Sequence, residues 1–462
     1  MGQNAERNTA HNTAQSIADN TLQNTVQNTE RDMAGGSLVK TLASFTIPLI
    51  FSGLFQQIFN WVDAFIVGNV EGEAALAGIG AAGSIYNLFV TVIVGFTSGV
   101  SVMAAQKYGK GEREALTRIL SSFVMLLGAL FCTAAGLGML FTGPALRLLN
   151  TPASIFSEGK EYMQILFIGI PFLAVYNTYS AVLRGMGDSR APFFSVLVCS
   201  GVNIALDLVL VAVFRYGSAG AAAATALSQA SMAVFVAAYT FRRYPMLRFR
   251  FGRAALDRAA LVSGMKFGLP PAIQSGTSSV GNLFLQRFMN GFGEQTVAAI
   301  TTAYRIDTVI TLPIVNFGSG IATVVAQNIG AGNRERAGKV LKTGAILIAA
   351  VSLCLTASVL AAGGPLIAMF GLSGDTVAIG TAFFRSIASC YVVFGLAMAV
   401  RGYLEGAGDM VFSGIAGLFA LGVRIAASYA FAEPFGNMVI GYAEAFSWAV
   451  LLVVYLIRFC RR

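Results

Sequence analysis

The sequence predicts an all-α membrane protein of twelve transmembrane helices. They form two six-helix bundles related by a pseudo-two-fold axis along the membrane normal. Three observations predict this. The 462 residues are 56% hydrophobic and only 11% charged, with a mean hydropathy of +0.69, whereas a soluble domain carries about 25% charged residues. Apolar segments follow one another almost without break from residue 41 onward. The second half of the chain repeats the first at an offset of 221 residues.

In chain order, residues 1–35 form a polar tail in which Asn-Thr recurs at 8–9, 12–13, 20–21, 24–25 and 28–29. It has no apolar run, so it is read neither as a signal peptide nor as a folded unit, and it is assigned no function. Glu6 occupies the position where a myristoylation motif wants Ser or Thr. A first lobe over 36–241 holds spans near 41–68, 74–105, 116–142, 154–182, 191–214 and 218–241. A basic cytoplasmic linker covers 242–258. A second lobe over 259–462 holds spans near 259–289, 294–326, 336–362, 375–403, 412–431 and 437–459. About 20 residues cross a bilayer, so the longer segments must tilt, bend or project beyond the lipid.

The repeat fixes the relation between the lobes. SGVSVMAAQKYGKGERE at 98–114 returns as SGIATVVAQNIGAGNRE at 319–335, which pairs Gln106 with Gln327, Gly109 with Gly330 and Glu114 with Glu335. RGMGD at 184–188 returns as EGAGD at 405–409. Each copy has an even number of spans, so both copies have the same orientation and are related by an axis along the membrane normal. A cleft is expected between them. The glycines of these loops let the chain turn tightly after a long helix. RGMGD is not a phosphate-binding loop, because it lacks the Lys-Ser/Thr pair and a preceding strand.

The net charge of +9 is mostly a topology signal. Of 31 Lys and Arg residues, 24 fall on one set of ends and loops, together with both termini. The positive-inside rule makes that side cytoplasmic and removes the case for nucleic acid as a partner. The five cysteines lie apart from one another in or beside apolar runs, without disulfide or zinc spacing. The only histidine, His11, lies in the tail, so a histidine relay within the membrane is excluded. No acidic metal motif, His pair or Ser-Lys dyad supports an intramembrane enzyme.

Chemistry is concentrated in the first lobe. The span 41–68 carries Asp63, and a carboxylate at the centre of a spanning helix costs about 2.5–3.5 kcal/mol on insertion scales. Steps of three and four residues place Ser52, Gln56, Asn60 and Asp63 on one helical face. Pro48, two turns earlier, lacks an N–H and is expected to bend the helix. On the fifth span, Asp207 lies one turn after Asn203, so amide and carboxylate share a face. The sixth span offers Thr225 and the fourth Tyr162. Two buried acids in one bundle titrate as a pair, and they can hold a proton, or hold Na⁺ with neighbouring oxygens.

The second lobe departs from this plan. The repeat of Asp63 falls at Phe284 and Leu285, and Arg424 stands where Asn203 stands in the first copy. The seventh span keeps a polar face through Gln274, Ser278, Asn282 and Gln286. Gln274 and Asn282 join Gln56, Asn60 and Tyr162 as candidate pocket residues. Arg305, Asp307, Arg385, Arg424 and Glu444 are expected in or near the membrane, either paired with one another or contacting substrate or a moving gate.

The segment IPLIFSGLFQQIFNWVDAFIVG, the AQKYGKGERE and AQNIGAGNRE loops, the RGMGD and EGAGD loops and NIALDL, set in twelve spans and two parallel repeats, resemble the multidrug and toxic compound extrusion (MATE) family. The Asn-x-x-x-Asp turn resembles its DinF-like branch. The resemblance covers essentially the whole chain after the tail. It implies that Asp63, Asn203, Asp207 and Thr225 form a cation-linked site. It also implies export of amphipathic, often cationic, drugs or toxic metabolites by H⁺ or Na⁺ antiport, without a cofactor, by a multi-pass monomer in the cell membrane. Pro commonly follows the fifth-helix Asp in that family; Leu208 follows it here, which leaves the local bend of that helix open. A lipid or polysaccharide-precursor flippase of the same architecture is the alternative.

Overall fold

The computed structural model describes residues 33–71, 73–148, 151–252, 256–372 and 374–462. The Asn-Thr-rich stretch and His11 lie outside the described residues. The described residues form fourteen long α-helices, together with a π-helical turn at Leu208–Val213 and a one-turn helix at Ala432–Phe435. The first lobe contains α1 (Leu38–Glu71), α2 (Glu73–Gly109), α3 (Arg113–Leu148), α4 (Ala153–Gly185), α5 (Arg190–Asp207) and α6 (Gly217–Arg243). The second contains α7 (Arg258–Asn290), α8 (Glu294–Ile310), α9 (Leu312–Gly330), α10 (Arg334–Ala368), α11 (Asp375–Ala388), α12 (Tyr391–Gly406), α13 (Met410–Ala430) and α14 (Val439–Cys460).

Two traverses of the second lobe are interrupted. Helices α8 and α9 meet at Thr311, just before Pro313, where the missing N–H of proline suits a helix start. Helices α11 and α12 are bent by 44° at Ser389–Cys390. Ten of the helical segments are long and apolar enough to cross a membrane, and the bent pair is an eleventh. The twelfth traverse, α7, carries Lys266, Pro270, Pro271, Gln274 and four serines, so it is a helix of lower hydropathy rather than a loop.

The packing repeats as the sequence does. Within the first lobe α2 packs on α4, α4 on α3 and α6, and α5 on α1 and α6. Within the second, α9 packs on α12, α12 on α10 and α14, and α13 on α7 and α14. Each lobe has its own apolar core, one around Leu116, Phe123, Phe167 and Val182 and one around Ile321, Val340, Phe383 and Leu404.

The first helix of each lobe begins on the other lobe. Met33, Leu42, Phe45 and Leu49 are buried in the core of the second lobe. Asn328 donates to the Met33 carbonyl at 3.3 Å, and Arg336 donates to the carbonyls of Gly35 and Gly36 at 2.6 and 2.8 Å. Further along α1, Phe55 and Ile66 pack on the first-lobe core. Helix α7 mirrors this. Its early residues Ala260, Leu261, Phe267 and Ala272 pack against the first-lobe core, while Leu285 and Met289 are buried later in the helix. Asp257 caps α7 and pairs with Arg118 of α3 at 3.0 Å. Pro48 and Pro270 therefore sit where each helix passes from one lobe to the other. Helix α1 remains helical through Pro48, with Ser52 donating to the Pro48 carbonyl at 3.0 Å.

The lobes meet most closely along α2 and α7, and at the crossing of α2 with α9. Glycine makes this approach fit. A Cβ on Gly99 would lie 2.0 Å from the Phe267 carbonyl oxygen, and one on Gly95 2.7 Å from that of Pro271. A small apolar cluster of Val102, Ala105, Ala322, Ala326 and Met410 fills the interface at the end where the basic loops lie.

Candidate functional site

The first lobe encloses an acid pair. Asp63, on the last third of α1, lies beside the side chain of Asp207, the last residue of α5. The contact joins acceptors only. Asp63 Oδ1 and both Asp207 oxygens receive no hydrogen bond among the described residues. Asp207 and Asn203 are 0% exposed, and both side-chain polar atoms of Asn203 also lack a partner. Buried polar groups are normally hydrogen-bonded, and each exception calls for an explanation such as an ion or proton that completes the set. Here several such atoms lie together on facing helices. Two carboxylates and an amide make an oxygen-rich donor set, which suits a hard cation or a proton rather than a soft metal.

The surroundings extend the site. Tyr162 of α4 is 5% exposed and lies close enough to feel the charges of both Asp63 and Asp207. Thr225 of α6 is buried on the same lobe. Gln229, one turn further along α6, donates to the Tyr86 hydroxyl of α2, and its own Oε1 is unpartnered. Gly169 of α4 makes room for it, since a Cβ there would lie 2.3 Å from Gln229 Oε1. Tyr86 and Gln229 carry no motif, and sequence reasoning missed them. Gln229 follows Thr225 at the i, i+4 spacing that places both on one face, which was the available signal.

Helix α5 changes form at the site. Residues Leu208–Val213 continue it as a π-helix, a geometry found mostly as single turns at functional positions. The distortion closes with Phe214 N–H donating to Val209 O at 2.9 Å and with Arg215 at φ +56°. Leu208, where the resemblance led to an expectation of proline, is the first residue of this π-helix.

The other pocket candidates are spread out. Gln56 and Asn60 are exposed, and Asn60 donates to Gln57 at 3.4 Å. Asn282 is exposed on α7. Gln274 instead faces its own lobe, accepting from Arg401 at 3.2 Å, in the same group as the Arg401–Glu405 pair at 2.6 Å.

The second lobe has a different polar centre. Arg424 of α13 donates to Glu444 of α14 at 2.9 Å and to the Tyr304 hydroxyl of α8 at 2.6 Å. Tyr304 donates to the same Glu444 oxygen at 2.7 Å. Tyr391 of α12 donates to Asp307 of α8. Of the five charged residues singled out in this half, Arg424 and Glu444 share one network through Tyr304, Asp307 is held separately by Tyr391, and Arg305 and Arg385 are exposed. The repeat offset carries Asn203 to Arg424 and Tyr86 to Asp307. The two centres are thus equivalent in position and opposite in character: unpartnered acceptors in one, a connected ion-pair network in the other.

Comparison with known proteins places this architecture. The MatE family model matches twice, over residues 48–209 and 270–430. The chain is 29% identical over 381 residues to the "Probable multidrug resistance protein YpnP" of Bacillus subtilis (strain 168), covering 82% of this chain and 85% of that protein. It is 27% identical over 435 residues to the "Probable multidrug resistance protein YoeA" of the same strain, covering 90% and 93%. A solved structure described as the outward-facing conformation of a multidrug resistance MATE family transporter of the MOP superfamily shares the fold. Its TM-score is 0.87 at 21% identity, covering 94% of this chain and 98% of that one. The duplicated six-span lobes, the paired match to the family model and the shared fold make this chain a membrane transporter, not an enzyme, and a member of the MATE family.

Proposed function

We propose that this transporter exports amphipathic, often cationic, small molecules by antiport against H⁺ or Na⁺, with the ion bound between Asp63 and Asp207. The observation that carries this reading is the pairing of the buried Asp207 carboxyl with the half-buried Asp63, where Asp63 Oδ1 and both Asp207 oxygens receive no hydrogen bond. A proton or a monovalent cation turns that repulsion into attraction. Asn203, and Thr225 on α6, supply neutral oxygens beside it. The printed names of the relatives, multidrug resistance and multidrug export proteins, support a drug-like substrate class.

Coupling requires that ion and drug bind the two transporter states unequally. Helix α1 is suited to carry the difference, since it begins in one lobe, passes Pro48 and ends at the acid pair of the other. Ion entry reshapes the Asp63 end of α1, Pro48 absorbs the bend, and the drug is released outward. The driving force suffices: one charge crossing 100 mV yields about 2.3 kcal/mol, enough for a concentration ratio of roughly 50 at about 1.4 kcal/mol per decade. The excess of Lys and Arg on the side of the termini supports a cytoplasmic location for both ends.

The test is dye efflux from proteoliposomes with H⁺ and Na⁺ gradients imposed independently. Gradient-driven efflux that Asp63→Asn removes supports the reading. Undiminished efflux in that variant rejects the site, and efflux that neither gradient drives rejects antiport.

A further inference from the structure

The two loop motifs that open the repeat have no part in the acid site, yet the structure joins them. Gln106, near the end of α2, donates through Nε2 to the Gly406 carbonyl of the EGAGD loop at 2.9 Å. Gln327, near the end of α9, donates through Nε2 to the Gly185 carbonyl of the RGMGD loop at 2.7 Å. Both bonds run between lobes. They are images of one another, because the offset that pairs Gln106 with Gln327 also pairs Gly185 with Gly406.

The acceptors are not arbitrary carbonyls. Gly185 is the last residue of α4 and Gly406 the last of α12, so their carbonyls lie in the final turn, where no intrahelical N–H remains. The loop bonds leave them free. Gly187 and Asp188 donate to Arg184 and Leu183, and Gly408 and Asp409 donate to Glu405 and Leu404. Each lobe thus presents one helix-end carbonyl, and the other lobe supplies the amide.

The crossing that makes this reach possible is built of glycine. A Cβ on Gly109 would lie 2.0 Å from the Gln327 carbonyl oxygen, and one on Gly330 2.2 Å from that of Gln106. At no other residue type could the two backbones meet at this distance. Gln327 is 1% exposed, so its amide has little access to water while the bond is made.

We propose that Gln106 and Gln327 form a reciprocal clasp between the lobes, and that they are positioning residues for the alternating cycle. The clasp holds the lobes together at the basic end, and both bonds must break together for that end to open. Its donors are neutral amides, so it stabilises the closed end without tying it to the ionisation of the acid site. Opening exposes two amides and two helix-end carbonyls to water, which can solvate them, and the cost of opening stays modest. The proposal deepens the transport reading above and rests on its two-state cycle.

The experiment places spin labels at Glu114 and Glu335, which are exposed at the starts of α3 and α10, in a background without the native cysteines. Electron–electron distance measurements then read lobe separation at this end. Gln106→Leu and Gln327→Leu each raise the ratio of open to closed molecules by roughly five-fold, the equivalent of one ordinary hydrogen bond, and the pair raise it by roughly 25-fold. A second label pair within one lobe, at Glu114 and Arg243, must keep its unsubstituted distance. Where it does not, Gln106→Glu and Gln327→Glu replace the leucines, since they keep shape and polarity but offer no N–H. Unchanged separation in folded double variants overturns the clasp. The distances need neither drug nor ion, so that failure leaves the efflux reading standing; opening without any drug transport overturns efflux instead.

Discussion

Asn203 and Arg424 occupy the same place in the two repeats and meet opposite fates. Both polar atoms of the Asn203 side chain are buried without a partner, whereas Arg424 is held by Glu444 and Tyr304. One lobe leaves its buried polar atoms unpartnered, and the other pairs its own.

Replacing either acid should separate the lobes' roles. Asp63→Asn and Asp207→Asn are expected to remove gradient-driven efflux while leaving expression and detergent stability near those of the unsubstituted chain. Asp307→Asn acts in the second lobe, on the Tyr391 contact, and should spare the ion dependence of transport. Proteoliposome efflux at fixed drug and varied ion gradient makes the comparison, and equal loss in all three variants would contradict it.

Asn203 offers a test in which stability and activity move apart. An unsatisfied buried amide contributes little to folding, and an apolar side chain of similar shape can be neutral or stabilising there. Asn203→Leu is therefore expected to melt at or above the unsubstituted temperature. Its ion affinity should fall by roughly 10–100-fold, as for lost supporting groups at ion sites. Thermal melts with and without added Na⁺, alongside transport at graded ion concentration, measure both effects.

The second-lobe pair should behave in the reverse manner. The Arg424 and Glu444 side chains are 17% and 9% exposed, so removing one partner leaves a buried charge. Glu444→Leu is expected to cost roughly 3–5 kcal/mol, while the double change Arg424→Leu with Glu444→Leu should recover most of it. A double-mutant cycle on thermal stability decides this; a harmless single change would show that the pair is not structural.

Gly169→Ala is a small change with a directed effect. The added methyl would sit 2.3 Å from Gln229 Oε1 and 3.2 Å from the Ala226 Cα, so Gln229 must swing away from Tyr86. Transport should fall while the fold persists, and Gln229→Leu should reproduce the loss. If Gly169→Ala transports normally, the Tyr86–Gln229 contact does not support the site.

The parts legible in the sequence were those with a period or a cost. Helices followed from hydropathy, the lobes from the offset, and Asp63 with Asp207 from the expense of an intramembrane carboxylate. Spacing put Gln56 and Asn60 on the Asp63 face of α1, and the structure leaves both exposed, because a shared helix face does not fix which neighbour covers it. Gln274 was drawn to Arg401 for the same reason. Tyr86 and Gln229 were hidden because a tyrosine or glutamine on an apolar helix has many uses, and only the facing helix decides among them. The π-helix after Asp207 left no mark at all, since Leu208–Val213 reads as an ordinary apolar run.

The exchange of first helices bears on what kind of object this protein is. A half-length chain would leave Leu42, Phe45 and Leu49, or Leu261 and Phe267, without the core that covers them. Neither repeat is then a self-sufficient folding unit. Arms traded across a two-fold axis are how two identical chains assemble by domain swapping, and here the trade is made inside one polypeptide. Coexpressed halves should consequently seek each other out, and a half expressed alone should either aggregate or pair with its own copy.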